Sequence, residues 1–210
     1  MKINKELFTE FKNSKTSKLL AVTKYWNLEE TNEFISLLED EQKNILAWFW
    51  ENRIEKLFEK KLSRENTHFI GNIQSKEIKH IVTFCDTVHS IDNLKHIKKL
   101  EEICEKADTW IKFFLQINID ETKSSGIKAE EIPKFLELID KCDNISLVWF
   151  SAIWKWEFTE EEKREEFKLL KKLRAKYLPH WLISAGTSRD YKIALEEEID
   201  IIRVGENLVI

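Results

Sequence analysis

Short apolar runs of strand length recur from one end of the chain to the other, separated by stretches with helical periodicity. The runs are Lys18 to Lys24 (KLLAVTK), Asn44 to Phe49 (NILAWF), Thr67 to Asn72 (THFIGN), Ile81 to Val88 (IVTFCDTV), Trp110 to Asn118 (WIKFFLQIN), Ile145 to Ile153 (ISLVWFSAI), His180 to Gly186 (HWLISAG) and Ile199 to Gly205 (IDIIRVG). Between them, Leu94, Ile97, Leu100 and Ile103 repeat at three-residue spacing, and Phe135, Ile139 and Cys142 at four and three, which gathers each set on one helix face. Asn27 stands three residues before Glu30 and Thr159 three before Glu162, spacing that lets each pair cap a helix start reciprocally. Near-continuous apolar strands alternating with helices predict a parallel sheet covered on both faces, and an eightfold alternation predicts a (β/α)8 barrel.

Divided among eight units, 210 residues leave about 26 each, close to the lower limit for such barrels, so one domain over 1–210 is expected. An open doubly wound sheet uses the same alternation but normally announces a nucleotide site by a Gly-rich turn after its first strand. The turn here reads Thr23-Lys24-Tyr25-Trp26. Composition narrows the classes further: four Gly, two Pro and 42% hydrophobic residues exclude collagen-like and disordered chains. A net charge of -4, with basic residues interleaved among acids as in Glu161-Glu162-Lys163-Arg164-Glu165-Glu166, offers no excess cation for nucleic acid. Three widely spaced cysteines and no signal-peptide pattern at the start predict a cytoplasmic protein, and no apolar run reaches the length of a membrane span. Cys85 and Cys142 read as packing residues on apolar faces.

In a barrel the chemistry lies at the C-terminal ends of the strands, which restricts the search to eight places. Lys24 ends the first run behind the apolar stem Leu19-Leu20-Ala21-Val22, a setting that suits an amine for Schiff-base chemistry and equally a lysine snorkelling to solvent. The seventh run ends in Gly186-Thr187-Ser188 and leads at once into a helix-like segment, a small-residue turn able to offer N–H groups and hydroxyls to a phosphate. The eighth ends in Arg203-Val204-Gly205, where the glycine permits close approach of an anion and the arginine offers a rigid donor fork. A lysine beside a phosphate site suggests a phosphorylated aldehyde held as an imine. Pyridoxal 5′-phosphate (PLP) fits, and so does a phosphosugar handled by an aldolase or isomerase, which would usually add a carboxylate or histidine base. His89 and Glu51 stand near strand ends and read as ordinary polar mouth residues, and His68 as a packing residue of the third strand.

At these residues the sequence resembles the pyridoxal-phosphate homeostasis protein family, the YggS-like proteins, whose barrel is related to the alanine racemase N-terminal domain. Leu20-Ala21-Val22-Thr23-Lys24 resembles the family's strand-one motif, Glu51-Asn52 its Gly-Glu-Asn segment, and the stretch from His68 to Lys76 its most recognisable sequence. Ser90-Ile91-Asp92, then Gln116-Ile117-Asn118 with Lys123 and Gly126, match in order and spacing, as do Gly186-Thr187-Ser188, Asp190, Ala194 and Arg203-Val204-Gly205 at the end. The resemblance implies a cytoplasmic monomer that carries PLP as an aldimine on Lys24 without robust turnover, buffering the cofactor or delivering it to PLP-dependent apoenzymes. It implies that Ser188, Gly205 and neighbouring backbone, with Thr187, Asn52 and Glu206 close by, hold the cofactor. Arg203 would face the pyridine nitrogen, where a cation disfavours protonation and weakens the ring as an electron sink. A PLP-dependent racemase or lyase of weak activity is the alternative, although racemases draw a second base from a further β domain and this chain ends at Ile210. A diverged barrel that has lost PLP is another. Departures from the family motivate it: Trp149-Phe150-Ser151 replaces Gly-Leu-Met, Trp50 and Glu198 replace glycines, and Glu206 replaces a threonine beside the phosphate, with Arg189 in place of an acid. Trp149, Trp154 and Trp156 cluster near the end of strand six, where they fit a barrel-helix interface better than cofactor stacking.

Overall fold

Eight parallel strands pair in chain order and close on themselves through the first and last. They are β1 (Lys18–Val22), β2 (Leu46–Glu51), β3 (Thr67–Phe69), β4 (Thr87–Ile91), β5 (Ile111–Asn118), β6 (Ile145–Ile153), β7 (Leu182–Ser184) and β8 (Ile201–Val204). The helices are α1 (Lys5–Ser14), α2 (Leu28–Leu37), α3 (Asp40–Ile45), α4 (Ile54–Lys60), α5 (Ile78–Phe84), α6 (Leu94–Lys106), α7 (Ile132–Ile139), α8 (Glu160–Tyr177) and α9 (Tyr191–Glu196). This computed structural model describes residues 1–14, 16–60, 62–119, 125–153 and 158–210. Lys123, Trp154 and Trp156 lie outside the described residues, as do the side chains of Trp50 and Trp149.

Strand alternation sorts the core into two layers. Outward residues such as Leu19, Ala21, Phe49, Ile202 and Val204 join the large cluster under the helices, whereas Leu20, Phe114 and Ile201 form a separate small cluster inside the barrel. The helices supply the outer half of the larger layer. On α8, Phe167, Leu170 and Leu173 recur every third residue, are buried and pack toward β6 and β7; each contributes about 1.5–3 kcal/mol. Both expected capping boxes form, Asn27 with Glu30 at the start of α2 and Thr159 with Glu162 at the start of α8.

One strand lies elsewhere than the apolar run predicts. Residues 81–84 belong to α5, because Ile78, Ile81 and Val82 fall at helical spacing and bury one face, and the fourth strand begins only at Thr87. His89 is therefore a buried residue in the middle of β4, not a polar residue just after it.

Helix α9 ends in a Schellman motif: the Ile199 N–H donates to the Ala194 carbonyl at 2.9 Å and the Glu198 N–H to the Leu195 carbonyl at 3.0 Å. The motif requires the left-handed region at Glu198, which has φ 53° and carries a Cβ there at a steric cost. Glu198→Gly is expected to stabilise the fold by about 1 kcal/mol, read as a shift of the urea midpoint at constant slope.

Candidate functional site

Lys24 lies two residues beyond β1. The alternation that turns Leu20 inward continues to Lys24, while Thr23 follows Ala21 outward. The Trp26 N–H donates to the Thr23 carbonyl at 2.9 Å, closing a four-residue turn with Lys24 and Tyr25 at its centre. Lys24 is half-buried, with its Nζ 4.8 Å from the centroid of the Tyr25 ring, itself 80% exposed.

The neighbouring strand end supplies donors. Because β1 and β8 pair with Ala21 opposite Val204, the following Gly205 comes against Val22; a Cβ on Gly205 would lie 3.1 Å from the Val22 Cβ and 3.2 Å from its carbonyl oxygen. A side chain here would crowd Val22, which would have to give by a few tenths of an ångström. The Gly205 and Glu206 N–H groups both donate to the Ser188 Oγ, at 2.9 and 3.2 Å, so two backbone donors and one hydroxyl converge on a single point. The Asn207 amide donates to the Ser188 carbonyl at 3.2 Å and fixes the loop from which Ser188 projects. Here the hydroxyl oxygen accepts from both N–H groups, and backbone N–H and hydroxyl groups at a strand-end loop are the kinds of donor that anion sites use.

Thr187 is engaged differently from the sequence expectation. Its N–H and hydroxyl both donate to Asp190 Oδ1, at 2.5 and 3.0 Å, within the turn that leads directly into α9 with Asp190 as its N-cap. Gly186 makes the bend possible with φ 87°, packed so tightly that a Cβ would meet Ala194 at 3.0 Å. Glu206 is exposed, and Asn52 is half-buried at the end of β2 with its carbonyl against Gly71.

Arg203 points into the barrel, donating to the Ser184 carbonyl at 3.2 Å and to the Ala152 carbonyl at 2.9 Å. Burial lowers its pKa to about 10, opposed by the Asp190 carboxylate, and it remains a fixed cation at neutral pH. Deeper inside, His89 stacks on Phe114 with ring centroids 3.6 Å apart, and its Nε2 lies 2.6 Å from the His68 Nδ1. Both histidines are buried, so the reading of His68 as a packing residue agrees with its place and the reading of His89 as a mouth residue does not. Glu51, also read as a mouth residue, is the last residue of β2 and fully buried on the outward side, ion-paired with Lys60 of α4. Nothing in the polar pattern of α4 distinguishes Lys60 from a surface lysine, so the sequence alone does not single it out. Cys85 and Cys104 are buried and Cys142 half-buried, all as free thiols; burial raises the pKa of each, which fits packing roles.

The fold defines the chain as a (β/α)8 barrel, with Lys24 and a loop of Ser188, Gly205 and Glu206 at neighbouring strand ends. Residues 12–209 match the alanine racemase N-terminal domain. The chain belongs to that family, and within it to the pyridoxal phosphate homeostasis proteins. It is 30% identical over 147 residues to the pyridoxal phosphate homeostasis protein of Synechocystis sp., covering 67% of each chain. To that of Aquifex aeolicus it is 25% identical over 173 residues, covering 76% of this chain and 75% of the relative. PipY of Synechococcus elongatus, solved with PLP bound, superposes with a TM-score of 0.80 at 22% identity and 92% coverage of both chains. Alanine racemase of Clostridium difficile superposes with a TM-score of 0.77 at 14% identity, covering 98% of this chain and 55% of the racemase. Among the described residues, no helix is long and apolar enough to cross a membrane, and no cluster of candidate metal ligands occurs.

Proposed function

We propose that residues 1–210 act as one PLP-binding barrel of cofactor homeostasis, holding PLP on Lys24 as a cytoplasmic monomer and releasing it to PLP-dependent apoenzymes. The observation that carries this reading is the amine-bearing turn after β1 beside the Ser188, Gly205 and Glu206 donors after β7 and β8. When bound, PLP brings an aldehyde that condenses with a primary amine, releasing water, and a phosphate dianion. Lys24 is the amine. The Ser188 hydroxyl and the Gly205 and Glu206 N–H groups, which now donate to its oxygen, are the donors for the phosphate, and the glycine leaves room for it. Thr187 supports the loop through Asp190, and Asn52 flanks the site. We assign Arg203 to the ring nitrogen, where a fixed cation keeps the nitrogen unprotonated and favours storage over carbanion chemistry.

The test is the absorption spectrum of the purified protein with PLP, followed by borohydride reduction and peptide mass analysis. The expected result is a single reduced adduct on Lys24. Adducts scattered over surface lysines, or none, would overturn the reading.

Glu206 sets an affinity limit. Its N–H serves the cradle while its carboxylate adds a negative charge to the same loop, and charge repulsion in exposed surroundings is modest and screened. Glu206→Thr is expected to tighten PLP binding by about threefold to tenfold at low salt, with the gain shrinking as salt rises. Equilibrium titration at two ionic strengths reads this directly.

A further inference from the structure

On the outward side of the β1 and β2 ends, beneath α4, three polar side chains are buried together: Thr23 at 0%, Glu51 at 0% and Lys60 at 2% exposure. Lys60 ion-pairs with Glu51 and donates to the Thr23 carbonyl at 2.7 Å, and the Thr23 hydroxyl donates to Glu51 Oε1 at 2.9 Å. The same Thr23 carbonyl accepts from the Trp26 N–H and so closes the turn that presents Lys24. One carbonyl thus joins the ionic unit to the cofactor lysine's own backbone.

A buried ion pair is a poor source of stability, because the cost of desolvating both charges roughly cancels their attraction and an apolar pair of equal volume often does as well. What it supplies that an apolar pair cannot is direction. A lysine reaching across from a helix to a backbone carbonyl fixes that carbonyl's orientation, and the carboxylate that holds the ammonium also holds the adjoining hydroxyl. Lys60 is not itself the cofactor amine. Burial lowers its pKa, against the raising effect of its bond to Glu51, but its ammonium is sealed behind the barrel wall at 1% exposure.

We propose that Glu51 and Lys60 are positioning residues for Lys24: they tether the Thr23 carbonyl from behind the strand, so that the turn over residues 23–26 presents the Lys24 amine inward to the cofactor aldehyde. This rests on the reading of Lys24 as the PLP lysine.

The test uses the full chain and the double variant Glu51→Leu/Lys60→Met, which removes both charges together and leaves neither buried alone. Two ligands separate positioning from general loosening: PLP, which condenses with Lys24, and pyridoxine 5′-phosphate, which has the same ring and phosphate but no aldehyde. The double variant is expected to bind PLP about tenfold more weakly or worse while binding pyridoxine 5′-phosphate as the wild type does. Hydrogen exchange at the Trp26 amide, measured without ligand, is expected to speed up by about tenfold or more as the turn loosens. A folded double variant with wild-type PLP affinity or wild-type exchange at Trp26 would overturn the proposal, and so would equal losses for both ligands. If the double variant does not fold, Glu51→Gln, which keeps the shape, is put through the same measurements, and the same results support or overturn the tether. The two readings fail separately: a wild type without a Lys24 adduct ends the PLP assignment, whereas unchanged Trp26 exchange in the variants ends the tether.

Discussion

Lys24→Ala is expected to abolish the borohydride-trapped adduct and to weaken PLP binding by about a hundredfold, while pyridoxine 5′-phosphate binds unchanged. The covalent bond can form only with a primary amine, whereas the donors at Ser188, Gly205 and Glu206 sit on other strand ends and do not depend on Lys24. A hundredfold loss corresponds to about 2.7 kcal/mol, the share of binding assigned to the bond. Stability is expected to stay within about 0.5 kcal/mol of wild type, because Lys24 is half-buried and its described side-chain contact is the exposed Tyr25 ring. Lys24→Arg separates charge from chemistry, since it keeps the cation but cannot condense. Retention of a specific adduct in either variant would move the site to another lysine.

The barrel is plain in the sequence because apolar runs and helix caps are local signals. Seven of the eight apolar runs contain or closely overlap their strands; the fourth is displaced because Ile81-Val82 is apolar in either reading and only the burial of Ile78 beside it marks a helix. The placement of Lys24, Ser188 and Gly205 at strand ends is legible because a barrel brings those ends together whatever lies between them in sequence. The ionic unit behind them is not. A charged residue on a short helix reads as surface, and that Lys60 instead reaches the Thr23 carbonyl depends on how closely α4 packs against β1 and β2. Thr187 illustrates the same limit at closer range: in sequence its hydroxyl reads as a donor for an anion, but Asp190 takes it three residues later.

Acidification is expected to destabilise the fold steeply below about pH 6.5, with the buried histidine pair as a principal cause. Desolvation holds the His68 pKa well below its ordinary value, helped by Lys112, and desolvation does the same for His89, helped by His68 and Arg203. Asp86, with its Oδ1 3.6 Å from the His68 Nε2, pulls the other way, but its carboxylate already accepts from the Thr87 hydroxyl at 2.8 Å and pairs with Lys112 at 3.4 Å. The geometry between the rings adds a constraint independent of burial. At 2.6 Å one ring nitrogen must donate and the other accept, so adding a proton to the accepting nitrogen places two donors against each other. The sign follows from the depressed folded-state pKa values: above the unfolded value of about 6.5 both states are neutral, and below it the unfolded chain takes up protons that the folded barrel refuses. Each histidine then costs up to about 1.4 kcal/mol per pH unit until the pH reaches its folded pKa. Urea unfolding between pH 7.5 and 5 is expected to show one to two protons taken up on unfolding by this pair, and His89→Gln to lower that number by about one. A variant with the wild-type slope would mean that the imidazoles protonate within the fold and that the interior of the barrel admits charge beside Arg203.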